Sequence, residues 1–163
     1  MSRFRMIRTA VVASMACFGS IASAQDLTVG LSTPITTLDP HFHNLSPNNS
    51  MARHVFETLI KTDEAQRPLP GLAESWKALS GTEWEFKLRR GVKWHDGKEF
   101  TADDVIATFK RVPIVPNSPA SFAVFVRPIT DITAPDKHTL RLKTATPHPL
   151  LPSDMSSVLI LPS

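Results

Sequence analysis

A histidine and an acidic residue that are adjacent in the sequence are the first candidates for chemistry. His95 and Asp96 precede Gly97, and such a pair could give a small secreted hydrolase a base and its orienting acid. The Asp-Gly pair is also typical of a turn, because glycine adopts positive φ angles without a steric penalty. No nucleophile and no second histidine at helical spacing lies nearby, so we expect a turn. The hydrolase that uses His95 and Asp96 is kept as a rival hypothesis.

The other histidines do not form a metal-binding motif. His41 and His43 would lie on opposite sides of an extended chain, which is a poor geometry for holding one ion. His54 is expected on the polar side of a helix, His138 in a turn, and His148 lies between two prolines. None of these spacings matches a known zinc or peptidase motif. We therefore expect no metal, no cofactor and no enzymatic activity.

The positive charge is concentrated at the amino terminus. The 163 residues carry 18 Lys and Arg against 15 Asp and Glu, which gives a net charge of +3, and the pI is near 9.3. Residues 1–24 contain Arg3, Arg5 and Arg8 and no acid, so the rest of the chain has 15 basic and 15 acidic residues. The two signs are interspersed there, and we expect no nucleic-acid partner.

Residues 1–24 have the layout of a secretory signal peptide. A basic start is followed by a run of 13 apolar or small residues and then by small residues at 22–24. The run is shorter than the ~20 residues of a membrane-spanning helix. We predict cleavage between Ala24 and Gln25 and a periplasmic location. The rival interpretations are an uncleaved anchor, an organelle-targeting peptide and a lipid anchor on Cys17.

Alternation of apolar and charged residues predicts several strands. Residues 84–89 alternate strictly, which favours a strand with Glu85, Lys87 and Arg89 in solvent and a hairpin turn at residues 80–81. Further strands are expected at residues 27–31, 59–62, 129–134 and 139–143, and a buried strand at 158–163. Because a domain rarely stops inside a buried strand, we expect this chain to be a fragment.

Two helices are predicted from capping residues and apolar stripes. The first would begin at residues 47–50 and bury one stripe. That stripe comprises Met51, Val55 and Leu59. The second would be capped by Thr101, with acidic residues at 103–104 in its first turn and basic residues at 110–111 in its last.

Four sequence blocks follow one another in order along the chain. They are Val-Phe-Glu-Thr-Leu at 55–59, Pro-Gly-Leu-Ala-Glu-Ser-Trp at 70–76, Trp84 to Gly97, and Thr-Ala-Asp-Asp-Val at 101–105. With these blocks the chain resembles the extracytoplasmic solute-binding proteins of family 5, the dipeptide, oligopeptide and nickel-type receptors of ABC importers. The resemblance covers nearly all of the chain after residue 24.

The resemblance implies a two-lobed α/β fold of the periplasmic-binding-protein type, with an extra domain inserted in the first lobe. Residues 25–46 would supply the leading strand and cleft segment of lobe I. Residues 47–163 would form the inserted domain and the adjoining part of lobe I, with mixed α+β structure, truncated before the second lobe. The implied protein is a monomer that binds a peptide, or another small solute, and docks on the membrane permease of an ABC importer.

The resemblance also assigns a ligand-binding segment, Asn44, Leu45 and Ser46. In peptide-binding members the extended segment after the Asp-Pro pair, here Asp39 and Pro40, pairs with the peptide backbone as an added strand. The alternative interpretation is that residues 44–46 have no binding role and form only the loop before the first helix. The tryptophans of the sequence blocks are expected in the core and not against ligand. They are Trp76, Trp84 and Trp94.

Two hypotheses concern the protein as a whole. Within the family, the solute could be nickel, an opine or an oligosaccharide in place of a peptide. Outside it, the chain could be the product of a degenerate reading frame.

Overall fold

The computed structural model describes residues 27–31 and 33–163, and it is a mixed α/β structure. The helices are α1 (Ser46–Ala52), α2 (Ala102–Arg111), α3 (Ala123–Val126) and α4 (Leu151–Asp154), with a 3₁₀ turn at Val112–Ile114. The strands are β1 (Ile60–Thr62), β2 (Pro68–Pro70), β3 (Ala73–Ser80), β4 (Glu83–Leu88), β5 (Ile129–Asp136) and β6 (Thr139–Thr144). Within the described ranges, no helix is long and apolar enough to cross a bilayer.

The central feature is a four-stranded antiparallel sheet with the order β3-β4-β6-β5. The hairpin predicted at residues 80–81 is confirmed, since Ser80 pairs with Glu83 across a two-residue connection. The strands predicted at 129–134 and 139–143 are also confirmed as β5 and β6, which pair with each other. A separate two-stranded hairpin joins β1 to β2, and β1 confirms the strand expected at 59–62.

One face of the sheet carries the core. Phe86 of β4 pairs with Leu140 of β6 and with Trp76 of β3, and all three lie on that face. Phe86 and Leu140 belong to one buried cluster that also contains Val105 and Phe109 of α2. Apolar residues at every second position of a strand and at helical spacing in α2 therefore meet in a single core, as the periodicity predicts.

Helix α2 begins as its sequence predicts. The Asp104 carboxylate accepts a hydrogen bond from the Thr101 N–H at 2.8 Å, so an acidic side chain satisfies a donor that the first turn leaves without a helical partner. Lys110 and Arg111 lie in the last turn. The 3₁₀ turn that follows contains Pro113, which cannot continue the helical hydrogen bonds.

The prediction that Glu85 lies in solvent is wrong. Its side chain is only 7% exposed and is contacted by Arg141 at 2.9 Å, Lys77 at 3.4 Å and Lys87 at 3.8 Å. The reason is that β4 is a central strand, with neighbours on both sides whose long side chains cover the carboxylate. The hydrogen bond from Arg141 and those cations hold the pKa of Glu85 below its usual range.

The buried stripe predicted for the first helix is also wrong. Helix α1 ends at Ala52, and the side chains of Met51 and Val55 are exposed by 42% and 58%. Leu59 is buried, but from an extended segment: Thr58 bridges Leu159, and the Ile160 N–H donates to the Glu57 carbonyl at 2.8 Å. Pairing with a segment about a hundred residues away overrides the helical periodicity.

The strand expected at residues 27–31 is not formed. Leu27 is 87% exposed, and residues 27–31 have no strand assignment. An isolated strand leaves its backbone groups to water, so alternation alone cannot stabilise it. Residues 27–30 belong to a different compact unit from the one that begins at Leu31.

The segment at 158–163 is buried over Val158, Leu159 and Ile160, as predicted, but it is not a regular strand. It makes one isolated antiparallel bridge, between Leu159 and Thr58. The predicted signal peptide, its cleavage between Ala24 and Gln25, and Cys17 lie outside the described residues.

Candidate solute-binding segment

Asn44, Leu45 and Ser46 connect an isolated bridge to a helix. His43 makes a parallel bridge with Ala120, and α1 begins at Ser46. Leu45 occupies the position before the helix with extended backbone angles, φ −127° and ψ 137°. Asn44 and Leu45 are half-buried and Ser46 is exposed. The segment is therefore both extended at its centre and accessible, although only three residues long.

The hydrogen bonds of this segment leave a small set of free groups. The Asn44 N–H donates to the Ala120 carbonyl at 2.9 Å, and the Leu45 N–H donates to the His43 carbonyl at 2.8 Å. The Leu45 carbonyl accepts from the Asn49 N–H, and the Asn44 Oδ1 accepts from the Asn49 amide at 2.8 Å. Among the described residues, the Asn44 carbonyl, the Asn44 side-chain NH₂ and the Ser46 N–H make no such bond.

Asn44 and Leu45 are the end of a longer stretch, residues 36–45, which we call the strap. At its start, Thr36 and Asn48 exchange two hydrogen bonds, of 3.0 and 2.9 Å. At its end, the Ser118 hydroxyl donates to the Phe42 carbonyl at 2.6 Å. The strap is thus fastened by α1 and by the loop between α2 and α3, which places the candidate segment against Ala120.

The middle of the strap is fastened by charged and polar groups that the sequence alone does not connect. The Arg111 guanidinium donates to both oxygens of Asp39, at 3.2 and 2.6 Å, and to His41 Nδ1 at 2.8 Å. His41 Nε2 donates to the Leu159 carbonyl at 2.7 Å. Arg111 and Asp39 are 72 residues apart, and the sequence shows Arg111 only as a cation in the last turn of a helix.

Burial and pairing shift the acidity of both strap residues. Burial lowers the pKa of His41, and the neighbouring Arg111 lowers it further, against the opposing effect of the bond to the Leu159 carbonyl. Burial alone would raise the pKa of Asp39. The hydrogen bonds from Arg111 and from the His41 N–H outweigh that effect, and the pKa of Asp39 lies below its usual range.

His95 and Asp96 form the turn that the Asp-Gly pair predicts. Gly97 has a φ of 87°, and the Asp96 Oδ1 accepts from the Lys98 N–H at 3.0 Å. The backbone and side-chain bonds from Lys98 lower the pKa of Asp96. His95 lines two adjoining cavities, of about 130 and 280 Å³, with Val55, Phe56 and Trp94. Among the described residues, neither cavity lining contains a serine, threonine or cysteine that a hydrolase would use as its nucleophile.

The remaining histidines lie in different parts of the described structure and do not form a cluster with one another. His54 follows the end of α1 and is exposed, so its predicted place inside a helix is wrong. His138 lies beside β6 as the turn residue expected there, and its Nε2 is 3.4 Å from Glu99. His148 contacts Asp154 at 2.7 Å. Within the described ranges, no group of three potential ligands is arranged to hold a metal ion.

All three tryptophans pack against the buried core, as the sequence predicts. Trp76, Trp84 and Trp94 are partly buried against it. The Trp94 ring meets Phe100 edge to face, with centroids 6.1 Å apart, and its Nε1 donates to Asp104 at 3.2 Å. Its ring is therefore held by the protein and serves packing.

Comparison with known proteins identifies the family. Residues 67–163 match the model of the bacterial extracellular solute-binding proteins, family 5 Middle. The chain is 31% identical over 147 residues to the periplasmic oligopeptide-binding protein OppA of Escherichia coli, a match that covers 80% of this chain and 27% of that protein. The chain therefore spans about a quarter of the length of that relative.

Solved structures agree on the fold. Haemophilus influenzae OppA, in complex with the peptide RPPGFSPFR, matches with a TM-score of 0.69 and 26% identity over 77% of this chain and 28% of that one. The binding protein AgaA of A. tumefaciens R10, in complex with agropinic acid, matches with a TM-score of 0.68 and 27% identity over 79% of this chain and 26% of that one. The sheet, the core and the ordered sequence blocks are thus those of a known group, and the chain belongs to the bacterial extracellular solute-binding proteins of family 5.

Proposed function

We propose that this chain is part of the substrate-binding component of an ABC importer, which captures peptides outside the cytoplasmic membrane and delivers them to the permease. The observation that carries the proposal is the 31% identity to an oligopeptide-binding protein over 80% of this chain. The working protein is a periplasmic monomer with no catalytic role. Binding shifts a two-lobed receptor toward a closed form, and the permease recognises that form.

The proposed organisation assigns each part of the chain to one step. Residues 1–24 direct export and are removed between Ala24 and Gln25, so no lipid anchor on Cys17 is used. Residues 25–46 supply the leading segment and the cleft wall of lobe I. Residues 47–163 form the inserted domain and the adjoining part of that lobe, and the second lobe closes over the solute from the other side.

The proposed contact with solute is made by Asn44, Leu45 and Ser46. The free Asn44 carbonyl and Ser46 N–H supply one acceptor and one donor two residues apart, and both suit the backbone of an extended peptide. The free NH₂ of Asn44 adds a donor from a side chain. The groups of Leu45 are already used inside the protein, so the segment supports a short added strand of two backbone bonds.

An opine is the second candidate solute. AgaA, which was solved with agropinic acid, matches this chain as well as the peptide receptors do. Backbone groups of the segment 44–46 would serve a small carboxylated solute as well as a peptide, because they read no side chain. Nickel complexes and oligosaccharides are further candidates within the family.

A chimera tests the proposed solute and segment together. Residues 33–163 replace the aligned part of E. coli OppA, and peptide binding is measured by titration calorimetry. We expect the chimera to bind tri- to pentapeptides and the chain 25–163 alone to show no saturable binding, because one cleft wall is insufficient. Binding of agropinic acid but of no peptide would favour the opine. A folded chimera that binds neither would contradict the proposal.

Asn44→Ala in the chimera tests the segment. The change removes the free side-chain donor, and we expect about a tenfold weaker affinity, the value of one hydrogen bond. Asn49→Ala is the matched control, because it removes the partner of Asn44 but leaves the segment's free groups in place. Equal affinities of the Asn44→Ala chimera and the parent chimera would exclude the Asn44 side chain from the contact.

A further inference from the structure

His41 is the fully buried titratable group at the middle of the strap. Both of its ring nitrogens are engaged: Nε2 faces the Leu159 carbonyl at 2.7 Å, and Nδ1 faces the Arg111 Nη1 at 2.8 Å. A carbonyl can only accept and a guanidinium can only donate. The contacts therefore fix a neutral ring with its proton on Nε2 and a lone pair on Nδ1.

Protonation of this ring would remove the bond to Arg111. A second proton on Nδ1 would point at a guanidinium N–H from 2.8 Å, so a hydrogen bond would become a contact between two cationic donors. The hydrogen bond from His41 Nε2 to the Leu159 carbonyl would remain favourable, but the ring could keep this bond only by staying in contact with Arg111. Movement of the ring away from Arg111 relieves this contact.

The surrounding groups oppose an imidazolium in place. The charged side chains against His41 in the described structure are Asp39, from the strap itself, and Arg111, from α2. Asp39 would favour the cation, but both of its oxygens accept from Arg111. The Phe122 ring also lies beside His41, with centroids 6.3 Å apart, and it carries no oxygen or nitrogen that could accept a hydrogen bond from an imidazolium.

We propose that His41 is an acid-sensitive clasp, whose protonation releases the middle of the strap from helix α2 and from the Leu159 segment. The inference goes beyond the proposed function and does not depend on it. Arg111 and Asp39 lie partly in solvent, with 40% and 33% of their side chains exposed, so water can enter between them once the ring moves. The bonds at Thr36 and at Phe42 limit the release to the residues between them.

The direction of the pH effect follows from burial. The pKa of His41 is lowered in the folded state, so the clasp is intact above the ordinary histidine value near 6.5. As the pH falls below that value, the released form gains one proton relative to the closed form. The ratio of closed to released strap then falls by up to about tenfold per pH unit, until the lowered pKa of the closed form is reached.

Hydrogen exchange followed by mass spectrometry on the intact chain tests the clasp. Protection factors are compared at pH 7.5 and 5.0 for peptides covering residues 39–44 and, as reference, residues 104–110 of α2. We expect protection of the strap to fall about tenfold or more at pH 5.0 while that of α2 changes little. Equal strap protection at both pH values, or equal losses in strap and helix, would overturn the proposal.

Three variants separate the clasp from other histidine effects. His41→Gln cannot be protonated, and its strap protection should not change between the two pH values. His43→Gln is the control, because it makes the same change two residues away and should keep the wild-type pH response. Arg111→Ala removes the opposing cation but not the burial of the ring, so its pH response should be clearly smaller than that of the wild type, a result that is available even if His41→Gln fails to fold. A wild-type pH response in either His41→Gln or Arg111→Ala would contradict the mechanism.

Discussion

Asp104 shows how one buried side chain connects distant parts of this chain. Its carboxylate accepts from the Thr101 N–H at 2.8 Å, from Trp94 Nε1 at 3.2 Å and from the Ser163 N–H at 2.9 Å. These three donors lie before α2, in the loop after β4 and in the last segment of the chain. The helix cap therefore also fixes the tryptophan and the terminal segment.

Asp104→Ala should destabilise the chain by about 1–3 kcal/mol, because three N–H donors lose their acceptor at a site where the Asp104 side chain is buried. Asp103→Ala is the matched control: it lies in the same turn but is exposed, and it should cost less than about 1 kcal/mol. Urea unfolding followed by circular dichroism gives both values. Equal costs for the two variants would show that the contacts of Asp104 add nothing beyond its charge near the helix start.

Residue roles were predictable from the sequence where they are local. The spacing of Thr101 and Asp104 predicts the cap, and Asp96 with Gly97 predicts the turn. The contacts of His41 were not predictable, because Arg111 and Leu159 come from segments 70 and 118 residues away. Glu85 was misassigned for a related reason: alternation shows which face a residue is on, but not which neighbouring strands cover it.

The junction between the two-stranded hairpin and the main sheet depends on a close approach of two backbones. The N–H groups of Leu72 and Ala73 donate to the carbonyls of Thr58 and Leu59, at 3.0 and 2.9 Å. Gly71 lies directly before them, and a Cβ at this position would be 2.6 Å from the Thr58 carbonyl oxygen. Glycine is therefore required here for space.

Gly71→Ala should destabilise the chain by about 1–3 kcal/mol, because the backbone atoms it would meet cannot move aside as a side chain can. Gly81→Ala is the control, since a Cβ there would meet only Pro147 at an ordinary 3.8 Å and should change stability by less than about 0.5 kcal/mol. Thermal unfolding compares the two. A Gly71→Ala variant as stable as Gly81→Ala would mean that the β1 to β3 junction tolerates a wider spacing.

Helices and strands were predictable where the apolar residues keep one spacing throughout the element and where the element it packs or pairs with is close in sequence. The β3–β4 and β5–β6 hairpins and α2 satisfy both conditions. The helical stripe at Met51, Val55 and Leu59 failed because residues 57–58 pair with 159–160 instead. The strand at 27–31 failed because alternation of apolar residues alone does not stabilise a strand, and residues 27–31 have no strand assignment.

At the scale of the whole molecule, the order of the sequence blocks was more informative than any site residue. Those blocks are mainly packing elements, including the tryptophans and the start of α2, and the family match, which begins at residue 67, covers the last three of the four. The solute is the least predictable property, because the proposed contact segment 44–46 offers backbone groups, and such groups accept many extended or carboxylated ligands. The chain also spans only about a quarter of its peptide-binding relative.

The most direct test of the central claim is peptide uptake by E. coli that lacks its own OppA and carries the chimera with residues 33–163. The account predicts that this strain takes up a labelled tripeptide, that the uptake saturates, and that it requires the permease. A strain without the chimera serves as the background. A chimera that is exported and folded, yet gives uptake no higher than that background, would contradict the assignment of this chain to peptide capture.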